Sequence, residues 1–574
     1  MAGIDVDKML RALHVTVIVV GTLLMAVAFS YDAVWFDEAY SLALAQHPIP
    51  EIVRIGAADV HPVLYYLALH CAQLLLGPDV IASRMLSVAG VGVLSLLGFT
   101  HVRRDLGEGC GLAFSILAFL VPWSAFVGSQ IRMYSWLAVT VMVVAIYGWR
   151  IVEGIASGLV RVPLQWWALM AAASVASAYL HYYGAITSFV VQAMVLVAIL
   201  RSKGGGRRKA LALWSAFAAA AVLLYSPWVL VAIGQAETVR QGFWIDLGFP
   251  DAFAELVLFP FYVAFYPDLL GQWNEGLVGE LTVCLFLFVA VAAAMVVYGL
   301  GAASLPRGAS STALSSHAGS SKSPEDRLAE PMANAEEGRP CEGASRSVTT
   351  GTCSPMAFQL GAYLGTVLVA LALNFIMGEP VIYHRYLVSA VGPVIAAISI
   401  ALVTVWRRRV IRAIACVAIA LAASNVYAIA CTMGWSPQNG QAIDAYAEAC
   451  EDAIGLNDGS GTMVFSDDIL IAGVIAVSDE GEPIVYMSES EAYRAFAPRI
   501  VMDEDWAGRL DGYEGVVVYV GYDEEHLEEF ASAAGGTVIE TREFRHPYSY
   551  AIEEDYQSSA NFTYSLVEVH GSRR

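Results

Sequence analysis

Two stretches of one loop, Trp35-Phe36-Asp37-Glu38-Ala39-Tyr40-Ser41 and Asp59-Val60-His61-Pro62-Val63-Leu64-Tyr65-Tyr66, decide how this chain is read. They follow an apolar run at 10–30 and gather acids, a histidine and aromatics in a chain otherwise poor in charge. Ionisable groups held against a bilayer are costly there and tend to mark function. The loop reads as the floor of a site at a membrane surface.

The rest of the chain supplies the membrane. Of 574 residues, 57% are hydrophobic and 15% charged, with a mean hydropathy of +0.59. A soluble domain could not hide so much apolar surface. Apolar runs of about 17 to 22 residues suit helices crossing ~30 Å of hydrocarbon. The first, at 10–30, is too long for a signal h-region and lacks an A-x-A site, so it reads as a retained helix.

The net charge of −21 is unevenly spread. From 433 onward there are 28 Asp/Glu against 7 Lys/Arg, so the tail carries the whole imbalance and the membrane part is neutral. Such a tail disfavours nucleic acid and the anionic cytoplasmic leaflet.

Basic residues flanking spans mark the cytoplasmic side. The clusters are Arg103-Arg104, Arg201 with Lys203 and Arg207-Arg208-Lys209, and Arg407-Arg408-Arg409 with Arg412. Placing all three inside predicts eleven spans, near 10–30, 80–101, 110–128, 133–150, 164–181, 183–200, 211–231, 280–300, 357–377, 387–406 and 411–432. The amino terminus is then cytoplasmic and the carboxyl tail extracytoplasmic, in a multi-pass protein of the plasma membrane. Residues 62–77 and 251–266 are too short to cross and read as helices along the outer interface, apolar face toward lipid and polar face toward water. In the first, Leu64, Leu67, Cys71, Leu74 and Leu75 share a face away from His70 and Gln73, and Pro62 suits the first turn.

The expected architecture is a mainly α polytopic membrane protein of about eleven transmembrane helices, with a small extracytoplasmic α/β domain. Residues 1–302 form a transmembrane module, 303–356 a disordered cytoplasmic linker rich in Ser, Gly, Ala, Pro and Glu, 357–432 further spans, and 433–574 the acidic domain. In the last, Val464-Phe465, Pro483-Ile484-Val485-Tyr486, Val516-Val517-Val518-Tyr519-Val520 and Thr537-Val538-Ile539 read as strands, with helices near 467–477 and 523–533. The eight cysteines show no metal spacing, and either Cys431 pairs with Cys450 or both stay free.

Every concentrated polar motif of the membrane part falls in an outer segment. Asp37 and Glu38 are either an interfacial pair facing water, a cap for a helix starting near Ala39, or a proton acceptor for a hydroxyl. Adjacent helical residues diverge by ~100°, so at most one is a base. Either Asp59 or His61 caps the next helix, or that helix's amino terminus and the His61 imidazole face an anion, with Asp59 beside them. Arg132 and Arg385 lie outside against the positive-inside bias, which favours anion binding over snorkelling. Tyr134, His181, Tyr183 and Tyr65 complete the lining, Tyr66 reads as an aromatic-belt residue, and Arg84 and Arg240 are lesser candidates. A cavity with one acidic corner and several cations suits a lipid phosphate whose ester breaks as a hydroxyl attacks.

Asp37-Glu38-Ala39, His61-Pro62-Val63-Leu64-Tyr65-Tyr66, Arg132-Met133-Tyr134, His181-Tyr182-Tyr183 and Arg385-Tyr386-Leu387 resemble, in order and context, the C-type (GT-C) membrane glycosyltransferases over about 10–432. The resemblance is to the protein O-mannosyltransferase and lipid A aminoarabinose transferase branch. It implies an inverting transfer from a polyprenyl-phosphate sugar to an acceptor hydroxyl of a protein, lipid or wall polymer on the outer face. Asp37 would be the base with Glu38 in support, His61 would lie near the donor phosphate, and Arg385 would match the late Arg-Tyr-Leu arginine. Two departures stand out: relatives often read His-Pro-Pro at 61–63, and many carry an acid where Ile131 stands here. The second removes an acid that a divalent metal would use, and no cofactor is assigned. Two readings from other classes are a transporter, against which stand nearly charge-free span interiors, and a membrane-anchored sensor working through the acidic domain.

Overall fold

The structure, a computed structural model, describes residues 6–242 apart from 122, 159–161 and 204–205, then 354–377, 384–406, 412, 438–545 apart from 480 and 522–523, and 561–571. Among these, seven helices are long and apolar enough to cross a membrane: Asp7–Ala28, Val80–Leu106, Tyr134–Ala156, Tyr182–Arg201, Arg207–Ala236, Pro355–Ile376 and Arg385–Thr404. Their outward faces carry Leu23, Leu24, Val27, Leu223, Leu224 and Leu230 exposed, as lipid-facing helices do.

Two further expected spans are shorter helices. Glu108–Leu120 has 13 residues and stops before extended Val121, because the residue before a proline is disfavoured in the α region. A second short helix, Trp123–Phe126, follows where one span over 110–128 was expected. Leu164–Leu180 has 17 residues. The expected spans at 280–300 and 411–432, the apolar stretch at 251–266, Cys431 and nearly all of the linker lie outside the described residues. The helix Pro355–Met377 begins two residues inside the expected linker.

The loop after the first span folds into three helices. Phe36–Ala45 starts three residues earlier than expected, with Trp35 as N-cap and no side-chain cap, so neither acid caps it. Asp37 and Glu38 instead occupy its first turn, where the positive end of the helix dipole favours a carboxylate. Ile49–Ala58, preceded by Pro48 and with Pro50 in its first turn, was not expected. Leu64–Leu76 has Val63 as N-cap without a side-chain bond, so capping by Asp59 or His61 is corrected, and Asp59 instead ends the preceding helix. His61 precedes a proline and is kept out of the α region, which delays the helix to Leu64 and leaves Pro62 outside its first turn.

The Leu64–Leu76 helix exposes Leu74, Leu75 and Leu76, in keeping with a lipid-side face. Its polar side is not turned to water as expected. His70 bonds through Nδ1 to the Ala45 carbonyl (2.8 Å) and Gln73 donates to that of Leu42 (3.4 Å), fastening it to the Phe36–Ala45 helix.

The acidic region is a six-stranded sheet: β1 (Val464–Ser466), β2 (Ile484–Tyr486), β3 (Ile500–Met502), β4 (Glu514–Gly521), β5 (Gly536–Arg545) and β6 (Asn561–His570), in the order β3-β2-β1-β4-β6-β5. The pairs among β3, β2, β1 and β4 are parallel, and β6 runs antiparallel to β4 and β5. Alternation along β4 sends Val517 and Tyr519 into a core with Phe530 of the Glu524–Ala534 helix, and Val516, Val518 and Val520 to the other face. There they meet Ile471 and Ile475 of the Ile469–Ser478 helix, in an apolar cluster continuous with Val34, Ala39, Tyr40 and Leu44 of the loop after the first span. The sheet domain therefore shares a core with the helix that carries Asp37.

Candidate active site

The ~100° step between adjacent helical residues separates the two acids of the Phe36–Ala45 helix. Asp37 faces two guanidiniums: Arg385 Nη1 lies 3.2 Å from its Oδ2 and Arg132 Nη2 3.9 Å. Glu38 turns inward, 1% exposed, and pairs with the wholly buried Arg84, accepting also the backbone N–H of Ile131 at 2.8 Å. Arg84 donates to the Ala33 carbonyl at 2.8 Å and lies 4.1 Å over the Tyr31 ring. Glu38 and Arg84 thus join the helix of Asp37 to the Val80–Leu97 helix and to the turn that presents Arg132. They build the site and do not face its cavity.

Arg132 is the hub. Its Nη1 donates to Tyr66 Oη (3.1 Å), Ser41 Oγ (3.4 Å) and the Asp37 carbonyl (3.4 Å), and its Nη2 lies 3.3 Å from His61 Nδ1. Tyr66 in turn donates to Asp59 Oδ2 at 3.2 Å. Asp59 Oδ2 is 3.7 Å from His61 Nδ1. Behind this layer, Tyr65 bonds Ser87 at 2.9 Å, and Ser87 donates to the Arg132 carbonyl at 3.3 Å. Tyr65 therefore holds the turn, whereas Tyr66, read from sequence as a belt residue, is part of the site.

Opposite lie the aromatic walls. His181 caps the Tyr182–Arg201 helix, its Nδ1 accepting from the Tyr183 N–H at 3.1 Å. Its ring centroid is 5.0 Å from Tyr386, 5.6 Å from His61 and 6.2 Å from Tyr134. Tyr183 packs on Tyr386 at 5.3 Å, and the Arg385 guanidinium lies 5.3 Å from the Trp35 ring centroid. Arg240 falls in the Arg207–Gly242 helix, but its side chain is outside the described residues.

Charge follows from these contacts. Burial pushes the Asp37 carboxyl up, but Arg132 and Arg385, with His61, more than offset this and hold it below the ordinary carboxylate value. For Asp59, burial is likewise outweighed by His61 and Arg132. Burial and the Arg132 charge together lower His61 despite its two acids, so the imidazole is neutral near pH 7 and its Nδ1 can accept from Arg132. The site is thus two ionised carboxylates and two guanidiniums with the imidazoles of His61 and His181, ringed by tyrosines. Among the described residues, no group of three or more His, Cys, Asp or Glu is placed to hold a metal ion.

Of the residues singled out from sequence, Asp37, Asp59, His61, Arg132, Tyr134, His181, Tyr183 and Arg385 meet in one place, although Arg385 is far along the chain from Asp37. Trp35, Ser41 and Tyr386 were missed. All three lie inside the quoted motifs, where they were given no role, and that membership was the available signal.

No protein-family model matches the chain, and no curated protein matches it. Among solved structures, it is similar to ArnT from Cupriavidus metallidurans in the apo state, at 13% identity and a TM-score of 0.47, covering 97% of this chain and 98% of that one. It is likewise similar to the same ArnT bound to undecaprenyl phosphate, at 13% identity and a TM-score of 0.45, covering 96% and 97%. A third likeness is to the Archaeoglobus fulgidus oligosaccharyltransferase in complex with Zn and sulfate, at 13% identity and a TM-score of 0.45, covering 90% of this chain and 69% of that one.

Proposed function

We propose that the protein transfers a sugar from a polyprenyl-phosphate donor to an acceptor hydroxyl on the extracytoplasmic face, with inversion at the anomeric carbon. One observation carries the reading: a carboxylate held by two guanidiniums in the loop after the first span of a helical membrane module. The acceptor oxygen bonds to the anomeric carbon as its bond to the phosphate oxygen breaks, and the hydroxyl proton passes to Asp37. The donor phosphodiester has one negative charge and the departing polyprenyl phosphate has two. Cations around the phosphate therefore bind the transition state more tightly than the substrate, which is what accelerates a reaction.

Arg132 and Arg385 are the groups for that task, with His61, Tyr134, His181 and Tyr183 lining the donor pocket. In the free protein the same guanidiniums face Asp37 and weaken it as a base. A bound phosphate draws them off, so Asp37 recovers basicity when a donor is present. Asp59, hydrogen-bonded through Tyr66 to Arg132, keeps the hub oriented.

The test is purified Asp37→Asn protein given polyprenyl-phosphate hexoses and pentoses with envelope extract as acceptor. Transfer should be lost with folding and donor binding intact. Near-normal transfer by this variant removes Asp37 as the base, and absence of transfer by the unaltered protein with every donor removes the reading itself.

A further inference from the structure

Phe36, the residue before Asp37, packs against the sheet domain. Its ring centroid lies 6.1 Å from that of Tyr493 and 5.9 Å from that of Phe496. One turn along the same face, Tyr40 meets Phe496 edge-on at 6.0 Å. On the domain side, Gly473 of the Ile469–Ser478 helix backs both rings: a Cβ there would lie 2.7 Å from Phe496 and 3.1 Å from Phe36. Only glycine allows that approach. Two polar contacts flank the seam, His47 Nε2 to the Ala495 carbonyl at 2.8 Å and the ion pair of Arg54 with Glu491. All these contacts fall on the Phe36–Ala45 and Ile49–Ala58 helices or the turn between them.

We propose that the sheet domain is a positioning clamp for the catalytic base. Phe496 and Gly473 set the rotation and depth of the Phe36–Ala45 helix, and the ~100° step from Phe36 to Asp37 converts that setting into the direction of the carboxylate. Displacing a reacting group by about 1 Å costs on the order of a hundredfold in rate. Phe496 and Gly473 are positioning residues, since they act on Asp37 through Phe36 and Tyr40 of its helix. The inference rests on Asp37 being the base, and it extends that reading by giving the acidic domain a task in the reaction.

The experiment uses full-length protein in lipid nanodiscs, with Phe496→Ala to slacken the seam and Gly473→Val to push it apart. Both should lower kcat at least about tenfold while the donor KM stays within about twofold, and Phe496→Leu should recover most of the rate. Backbone hydrogen exchange read on the same samples, without donor, should accelerate across 38–45 and stay unchanged across β4. Wild-type kcat in both variants, or a lost rate with exchange across 38–45 unchanged, overturns the clamp. If Phe496→Ala unfolds the sheet domain, the clamp requires 38–45 to loosen all the same, and a helix that stays protected overturns it. Should the unaltered protein transfer nothing, the exchange arm still decides whether the domain fixes the helix, so the two readings fail separately.

Discussion

Replacing Arg84 by methionine tests how the site is built. Arg84 is completely buried, and it donates through both Nη atoms to Glu38 and to the Ala33 carbonyl while stacking on Tyr31. Methionine has similar reach but no charge. It leaves the Glu38 carboxylate, 1% exposed, with the Ile131 N–H for company. Breaking a buried ion pair from one side costs about 3–5 kcal/mol, because the remaining charge is neither solvated nor paired. The lost bond to Ala33 adds roughly 1 kcal/mol. A drop in apparent Tm on the order of 10 °C is expected, read by thermal scanning of detergent-purified protein. Adding Glu38→Gln removes the stranded charge, so the double variant should regain at least about half of the loss. Transfer should fall as well, because the Ile131 N–H bond that fixes the Arg132 turn ends on Glu38. A single variant melting within about 2 °C of wild type, or a double variant worse than the single, refutes the reasoning.

Arg385→Gln takes away one of the cations that outweigh burial at Asp37, so the carboxyl rises. Since the wild-type value lies below that of an ordinary carboxylate, Asp37 is ionised across the neutral range, and protonation now intrudes from the acid side. The variant should lose more kcat/KM at pH 5 than at pH 8, and an equal loss at both would count against the assignment. Tyr66→Phe deletes the hydroxyl that accepts from Arg132 and donates to Asp59, at a cost of about 1–3 kcal/mol, seen as roughly a ten- to hundredfold fall in kcat/KM. Cysteines placed singly at positions 37 and 385 should both react with an impermeant reagent added from the extracytoplasmic side; labelling from opposite sides would break the site apart.

The acids and arginines of the site were legible because each breaks a compositional rule: charge beside an apolar run, or arginine on the side where the expected topology depletes it. What residue type cannot carry is direction. Tyr65 and Tyr66 are the same residue in sequence, yet the helical step sends one to Ser87 and the other to Arg132. The same step divides Asp37 from Glu38, and that division was foreseen, although not that Glu38 would find Arg84, which stands inside an apolar window. The Ile49–Ala58 helix escaped notice because its ten residues begin among prolines at 48 and 50. The contact of Phe36 with Phe496 joins residues 460 positions apart, and no local pattern announces it.

Strand β6 lies between β4 and β5 although it follows both in the chain, pairing Glu514 through Gly521 on one side and Gly536 through Arg545 on the other. Until it arrives, two neighbouring strands stand with bare hydrogen-bonding rims, an invitation to intermolecular zippering. A nascent polypeptide stalled just beyond β5 would therefore leave the facing edges of β4 and β5 uncovered at once. Once in place, β6 covers an edge of each, so a single strand closes the gap and makes β4 and β5 parts of one sheet.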